Sequence, residues 1–124
     1  MKILVTDDSK MARKMVIKTL NESMEGEIEI FEGQNGQEAV DLYKQHKPKI
    51  TFLDLTMPIM DGFEALEQIK MFDNDAKVII ISADIQKTAV DRVLSLGAYN
   101  FIKKPIDTTK MKQILEKLNN KVEI

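Results

Sequence analysis

Short β-branched runs alternate with longer stretches of helical period along this chain, and no other feature narrows its possible folds so far. The runs predict strands over Lys2–Thr6, Glu27–Glu32, Ile50–Leu53, Lys77–Ser82 and Tyr99–Ile102. Between them Met11/Met15/Val16/Leu20, Ala39/Val40/Tyr43, Phe63/Leu66/Ile69 and Ala89/Val90/Val93/Leu94 recur at helical spacing, each as one buried helix face; Met111/Ile114/Leu115/Leu118 closes the series. The first, third and fourth strands are nearly uninterrupted apolar runs, as central strands covered on both faces require. Glu27-Ile28-Glu29-Ile30-Phe31-Glu32 alternates instead, which suits an edge. Right-handed crossovers then predict an α/β fold: a five-stranded doubly wound parallel sheet, order 2-1-3-4-5, with helices on both faces.

That order is the flavodoxin-like one, in which ligands sit at the carboxyl ends of the strands, beside the reversal of winding between strands one and three. The chain's 124 residues, 44% of them hydrophobic, suffice for one core and not for two, so a single domain over residues 1–124 with no effector domain is expected. Eighteen basic and 20 acidic residues give a net charge of −2 and no broad positive field, so no nucleic-acid partner is expected. With no Cys and a single His46, neither a disulfide framework nor a Cys- or His-based zinc site can form, and a reducing cytoplasm fits. His46 is expected near the C-terminal end of the second helix. The apolar run Ile3-Leu4-Val5 meets Asp7-Asp8 too soon for a signal peptide or a span, so no membrane insertion is expected. The eight Met residues read as adaptable packing.

Four segments aim polar groups at the ligand edge: Asp7-Asp8-Ser9 after the first strand, Asp54 closing the third, Ser82-Ala83 closing the fourth, and Lys103-Lys104-Pro105 after the fifth. Carboxylates converging within roughly 5 Å repel by about 3 kcal/mol per pair at an effective dielectric near 20. A cation removes that cost, and an all-oxygen donor set favours Mg²⁺, with Mn²⁺ as the alternative. A hard dication beside a lysine and a hydroxyl is equipment for holding a transferring phosphoryl group. Asp54, at the end of a central strand, is placed to be the nucleophile, while Asp7 and Asp8 start a loop from which they can hold metal. Lys104 is better placed than Lys103 if strand alternation carries into Pro105.

The stretches Leu4-Val5-Thr6-Asp7-Asp8-Ser9, Leu53-Asp54-Leu55-Thr56-Met57-Pro58-Ile59-Met60-Asp61-Gly62, Ile81-Ser82-Ala83 and Gly97-Ala98-Tyr99-Asn100-Phe101-Ile102-Lys103-Lys104-Pro105 together resemble the response-regulator receiver family, of the stand-alone, chemotaxis-receiver-like kind. The resemblance runs essentially end to end. It implies that Asp54 takes a phosphoryl group from a histidine kinase or a histidine phosphotransfer protein, and that the chain is a signalling module rather than an enzyme. It further implies that Asp8 binds Mg²⁺ directly, Asp7 through water, and the Thr56 backbone carbonyl alongside Asp54. Lys104 would pair with the phosphate, Ser82 would be the hydroxyl that moves to it, and Phe101 the aromatic that turns in behind. Ala83 would leave the phosphoryl path open, and Lys104-Pro105 would be a cis peptide. The readout surface would be the fourth helix, fifth strand and fifth helix of a monomer, facing an unknown downstream protein of a chemotaxis or phosphorelay pathway. Phe101 lacks the hydroxyl of a Tyr there, and Thr56 and Asp84 stand where dephosphorylation is influenced in such proteins.

Each residue also has a plainer reading. Asp7, Asp8 or Ser9 can cap the first helix, Met57-Pro58 with Asp61-Gly62 is turn chemistry, and Ser82 alone is an ordinary cap hydroxyl. Phe101 alone is core packing, and Lys103-Lys104 alone is solvated charge. Two other functions share the architecture. A haloacid-dehalogenase-type phosphatase uses a strand-end Asp but carries Asp-x-Asp there, against Asp54-Leu55-Thr56. A flavodoxin-like cofactor binder cradles phosphate after the first strand, where Asp7 and Asp8 would repel it.

Overall fold

The computed structural model describes residues 1–24, 26–83 and 86–122. Ten elements alternate: β1 (Lys2–Thr6), α1 (Lys10–Ser23), β2 (Glu29–Gly33), α2 (Gly36–His46), β3 (Ile50–Leu53), α3 (Gly62–Phe72), β4 (Val78–Ser82), α4 (Lys87–Ser95), β5 (Asn100–Lys103) and α5 (Thr108–Val122). All strand pairs are parallel and the order is β2-β1-β3-β4-β5, as the alternation predicts. β2 is indeed an edge strand, but it runs over Glu29–Gly33 rather than 27–32, because its pairing with β1 starts at Lys2↔Glu29 and ends at Thr6↔Gly33. β4 starts one residue later than expected, and β5 is displaced by one to include Lys103.

Strand alternation sorts the core into two layers. Ile3, Val5, Ile50, Phe52, Ile79, Ile81 and Ile102 face one side, where Val16 and Leu20 of α1 and Met111, Ile114, Leu115 and Leu118 of α5 cover them. Leu4, Leu53, Val78 and Ile80 face the other, under α2, α3 and α4. On that side α4 sends only Val93 fully into the core, with Ala89 half-buried beside it. Leu94, read from its spacing as a core residue, is 45% exposed.

Helix α1 buries a different face from the one its methionines mark. Met11 is 74% and Met15 46% exposed, while Arg13, Val16, Thr19 and Leu20 turn inward. Positions 13, 16 and 20 keep helical spacing, so the periodicity is real and its phase is set by a buried cation. Met1 and Met71 are exposed too and Met24 is half-buried, leaving Met57, Met60 and Met111 as the buried methionines.

Helix starts are capped by side chains. Ser9 Oγ accepts from the Ala12 amide, Asn35 Oδ1 from Glu38 and Asp61 Oδ1 from Glu64, whereas α4 has no side-chain cap bond at its start. Ser9 is therefore the α1 cap, which leaves both neighbouring acids for other work. His46 lies in the last turn of α2 and stacks on Phe31 of β2, with ring centroids 3.8 Å apart.

The turn read into Asp61-Gly62 has another basis. The left-handed residue of that loop is Ile59, at φ 70°. Gly62 instead begins α3 against the backbone of the strand end: a Cβ there would lie 2.1 Å from the Asp54 carbonyl oxygen and 2.7 Å from Leu55 Cα. Neither partner is a flexible side-chain tip, so α3 can approach Asp54 this closely only without a side chain. Gly62→Ala is expected to lose about 1–3 kcal/mol of stability, read as a lower denaturant midpoint at unchanged slope.

Candidate phosphoacceptor and metal site

At the carboxyl edge, Asp7 directly follows β1 and Asp54 directly follows β3, and the Asp54 amide bonds to the Thr6 carbonyl at 3.0 Å. Asp7 and Asp54 are each 5% exposed, whereas Asp8 opens to solvent. One carboxylate oxygen from each of the three acids lies within 4.8 Å of the others. Lys104, arriving from the end of β5, places Nζ 2.7 Å from Asp7 Oδ2 and 3.5 Å from Asp54 Oδ1. The sequence singled out these four residues, and the fold brings them together.

One ammonium among three carboxylates leaves the cluster short of positive charge, and its effect shows on Asp54. Burial, reinforced by the Asp7 charge, pushes the Asp54 carboxyl up to about 6, although Lys104 pulls in the opposite direction. For Lys104, burial acts to lower the affinity for its proton, but the bond to Asp7 and the charges of Asp54 and Asp7 outweigh it and raise it. A donor set made only of oxygen, two of its acids buried and all three crowded, fits a hard dication.

Ser82 ends β4 and is buried, at 4% exposure. Its carbonyl accepts from the Lys104 amide at 2.9 Å, so the hydroxyl and the lysine share one strand pair. Phe101 is half-buried and packs against the core layer under α4; it borders a small gap there with Ser82, Ala89, Val90 and Val93. Ala83 is exposed, and Lys104-Pro105 is a cis peptide. Thr56 lies exposed in the loop two residues beyond Asp54. Asp84 lies outside the described residues. Lys103 is exposed.

Sequence reasoning passed over Arg13, Glu32 and the packing role of Gly62. Arg13, only 7% exposed, donates through Nη1 to the Asp7 carbonyl at 2.8 Å and through Nε to Glu32 Oε1 at 2.9 Å. Its only signal was spacing: position 13 shares a helix face with Val16 and Leu20. A cavity of about 500 Å³ opens elsewhere, among Tyr43, Lys47, Asp73 and Lys77, and includes none of these side chains.

A doubly wound sheet carrying an acidic cluster and a single lysine at its switch point defines the receiver class of signalling modules. The response regulator receiver domain model matches residues 3–116, and the chain belongs to that family. It is 43% identical over 117 residues to chemotaxis protein CheY of Listeria monocytogenes, covering 94% of this chain and 97% of that one. Identity to the Bacillus subtilis chemotaxis protein CheY is 36% over 119 residues, covering 96% and 98%. Among solved structures, a chain of the CheX-CheY-BeF3-Mg complex from Borrelia burgdorferi superposes with a TM-score of 0.87 at 36% identity, covering 94% of this chain and 87% of that one. Among the described residues, no helix is long and apolar enough to cross a membrane.

The raised Asp54 carboxyl makes the metal-free protein's stability depend on pH. Between about pH 4 and pH 6 the folded state keeps a proton that the unfolded chain has released, so stability falls as pH rises through that window and stays lower above it. Asp54→Asn removes the dependence. It is expected to stabilise the metal-free protein at neutral pH by on the order of 2–3 kcal/mol and to flatten its denaturant midpoints between those pH values.

Proposed function

We propose that Asp54 accepts a phosphoryl group from a histidine kinase or histidine phosphotransfer protein, with Mg²⁺ (Mn²⁺ can substitute) held by Asp7, Asp8, Asp54 and the Thr56 carbonyl. The observation that carries this reading is the convergence of Asp7, Asp8 and Asp54 within 4.8 Å of one another, with Lys104 Nζ 3.5 Å from Asp54 and 2.7 Å from Asp7. An Asp54 carboxylate oxygen attacks phosphorus in line; the O–P bond forms as the donor's N–P bond breaks, and the imidazole nitrogen keeps the electron pair. Mg²⁺ bound among the acids would neutralise them and the equatorial phosphoryl oxygens. With its carboxyl near 6, Asp54 is mostly ionised, and so nucleophilic, at neutral pH.

Lys104 already bridges two carboxylates and needs only a small displacement to reach a phosphoryl oxygen. Ser82, one strand away, supplies the hydroxyl that follows the phosphoryl group, and Phe101 shares with it the gap beneath α4. The surface of α4, β5 and α5 is then the readout. α4 suits a moving part, since it lacks a side-chain cap and buries only Val93 fully. Arg92 of α4 lies over the ring of Phe63 on α3, 4.1 Å from the ring centroid. A chemotaxis-type output is supported by the identity to proteins named for chemotaxis.

Incubation with acetyl phosphate and Mg²⁺, followed by intact-mass and peptide mapping, is expected to place one phosphoryl group on Asp54. Chelation and Asp54→Asn should each abolish it; modification at the same rate in Asp54→Asn would refute the assignment. Lys104→Met separates the lysine's two roles. Without the ammonium that competes for Asp7 and Asp54, Mg²⁺ is expected to bind roughly tenfold more tightly by calorimetry, while phosphoryl uptake slows.

A further inference from the structure

We propose that Arg13 is a positioning residue for the acid pair, setting metal affinity through the Asp7 carbonyl; this rests on the metal-dependent reading above. Arg13 is a costly choice for its place. It is buried, and it stands in the opening turns of α1, where the helix dipole disfavours a cation and no acidic residue in the first turn offsets it. Solvated charge does not account for it. Its two bonds do, because both meet the site's framework: the Asp7 carbonyl at 2.8 Å, and Glu32 at the end of β2 at 2.9 Å.

Asp7 is thereby tied at four atoms. Its amide donates to Gly33 O at 3.1 Å, Oδ1 accepts from the Ser9 amide at 2.9 Å, Oδ2 accepts from Lys104 at 2.7 Å, and its carbonyl accepts from Arg13. The last tie reaches Asp8. A planar peptide carries the Asp7 carbonyl and the Asp8 amide together, so the bond that fixes that oxygen fixes where the exposed Asp8 starts. With the Asp7–Gly33 bond, Arg13 and Glu32 close a ring joining the end of β1, the end of β2 and the first turns of α1. Edge strand β2, which contributes no acid to the cluster, is thus coupled to it.

Charge and positioning predict opposite signs. Removing a nearby cation would by itself tighten dication binding, whereas losing the tie weakens it. Pairing with Glu32 leaves little net field from Arg13, so the lost tie dominates. Groups that orient metal ligands typically change affinity about 10- to 100-fold when removed.

The test is calorimetric titration of the full chain, metal-free, with Mg²⁺ alone, alongside denaturant midpoints. Arg13→Gln is expected to weaken Mg²⁺ about tenfold. The charge-balanced double variant Arg13→Gln/Glu32→Gln should weaken it as much. Arg13→Lys, which keeps the charge but reaches one acceptor instead of two, should fall between wild type and Arg13→Gln, and is the variant to use if Gln prevents folding. Affinity equal to or tighter than wild type in a folded Arg13 variant, even with a lower denaturant midpoint, would overturn the proposal. A wild-type chain that takes up no Mg²⁺ would remove the metal-dependent reading along with it. Normal wild-type binding with unaltered variants would remove this inference alone.

Discussion

Crowding of like charge at one sheet edge is the constraint on which the rest of this protein turns. Asp7 and Asp54 are nearly inaccessible to water, yet their carboxylates stand with that of Asp8 inside a 4.8 Å group. Water cannot screen the buried pair, so the fold supplies a compensating ammonium from Lys104, 97 residues along from Asp7. Burial, reinforced by the Asp7 charge, outweighs the pull of Lys104 and holds the Asp54 carboxyl above its ordinary value. A site left short of positive charge is one that a dication, and then a phosphoryl group, can rearrange.

What holds the acids in place is mostly backbone. The strand-to-strand bond from the Asp54 amide to Thr6, the Asp7 amide to Gly33, and the side-chain-free approach of Gly62 to the Asp54 carbonyl fix both strand ends against each other. The proposed response lies elsewhere. On the opposite face of the sheet from α1 and α5, α4 is lightly anchored over a small gap shared by Ser82 and Phe101. The strands beneath α4 end at the same edge: the last residues of β4 and β5 are Ser82 and Lys103, next to Lys104.

Much of this was legible in the residues. Unbroken apolar runs marked β1, β3 and β4 as interior strands, and the alternating run around Ile30 marked β2 as an edge; the observed order agrees. The strand ends carry the acids, hydroxyl and lysine that the edge was expected to collect. Less legible was the phase of α1, since Met11 and Met15 are as apolar as a core residue and Arg13 is not, and only packing shows that the cation goes inside. Gly62 read as a turn residue because glycine is ordinarily a matter of φ; here it is a matter of clearance from another segment's backbone.

Asp7 and Asp8 show where the division falls. By itself the sequence determined that two acids follow the first strand, that another closes the third, and that a lysine follows the fifth. Local pattern suffices for that, because side-chain period and strand propensity are properties of short segments. The tertiary structure alone decided that Asp7 is buried against Lys104 while Asp8 faces water, and that Arg13 ties their shared peptide to Glu32. Those outcomes depend on distance and on exclusion of water between segments far apart in the chain. Neither is encoded in any one stretch of residues.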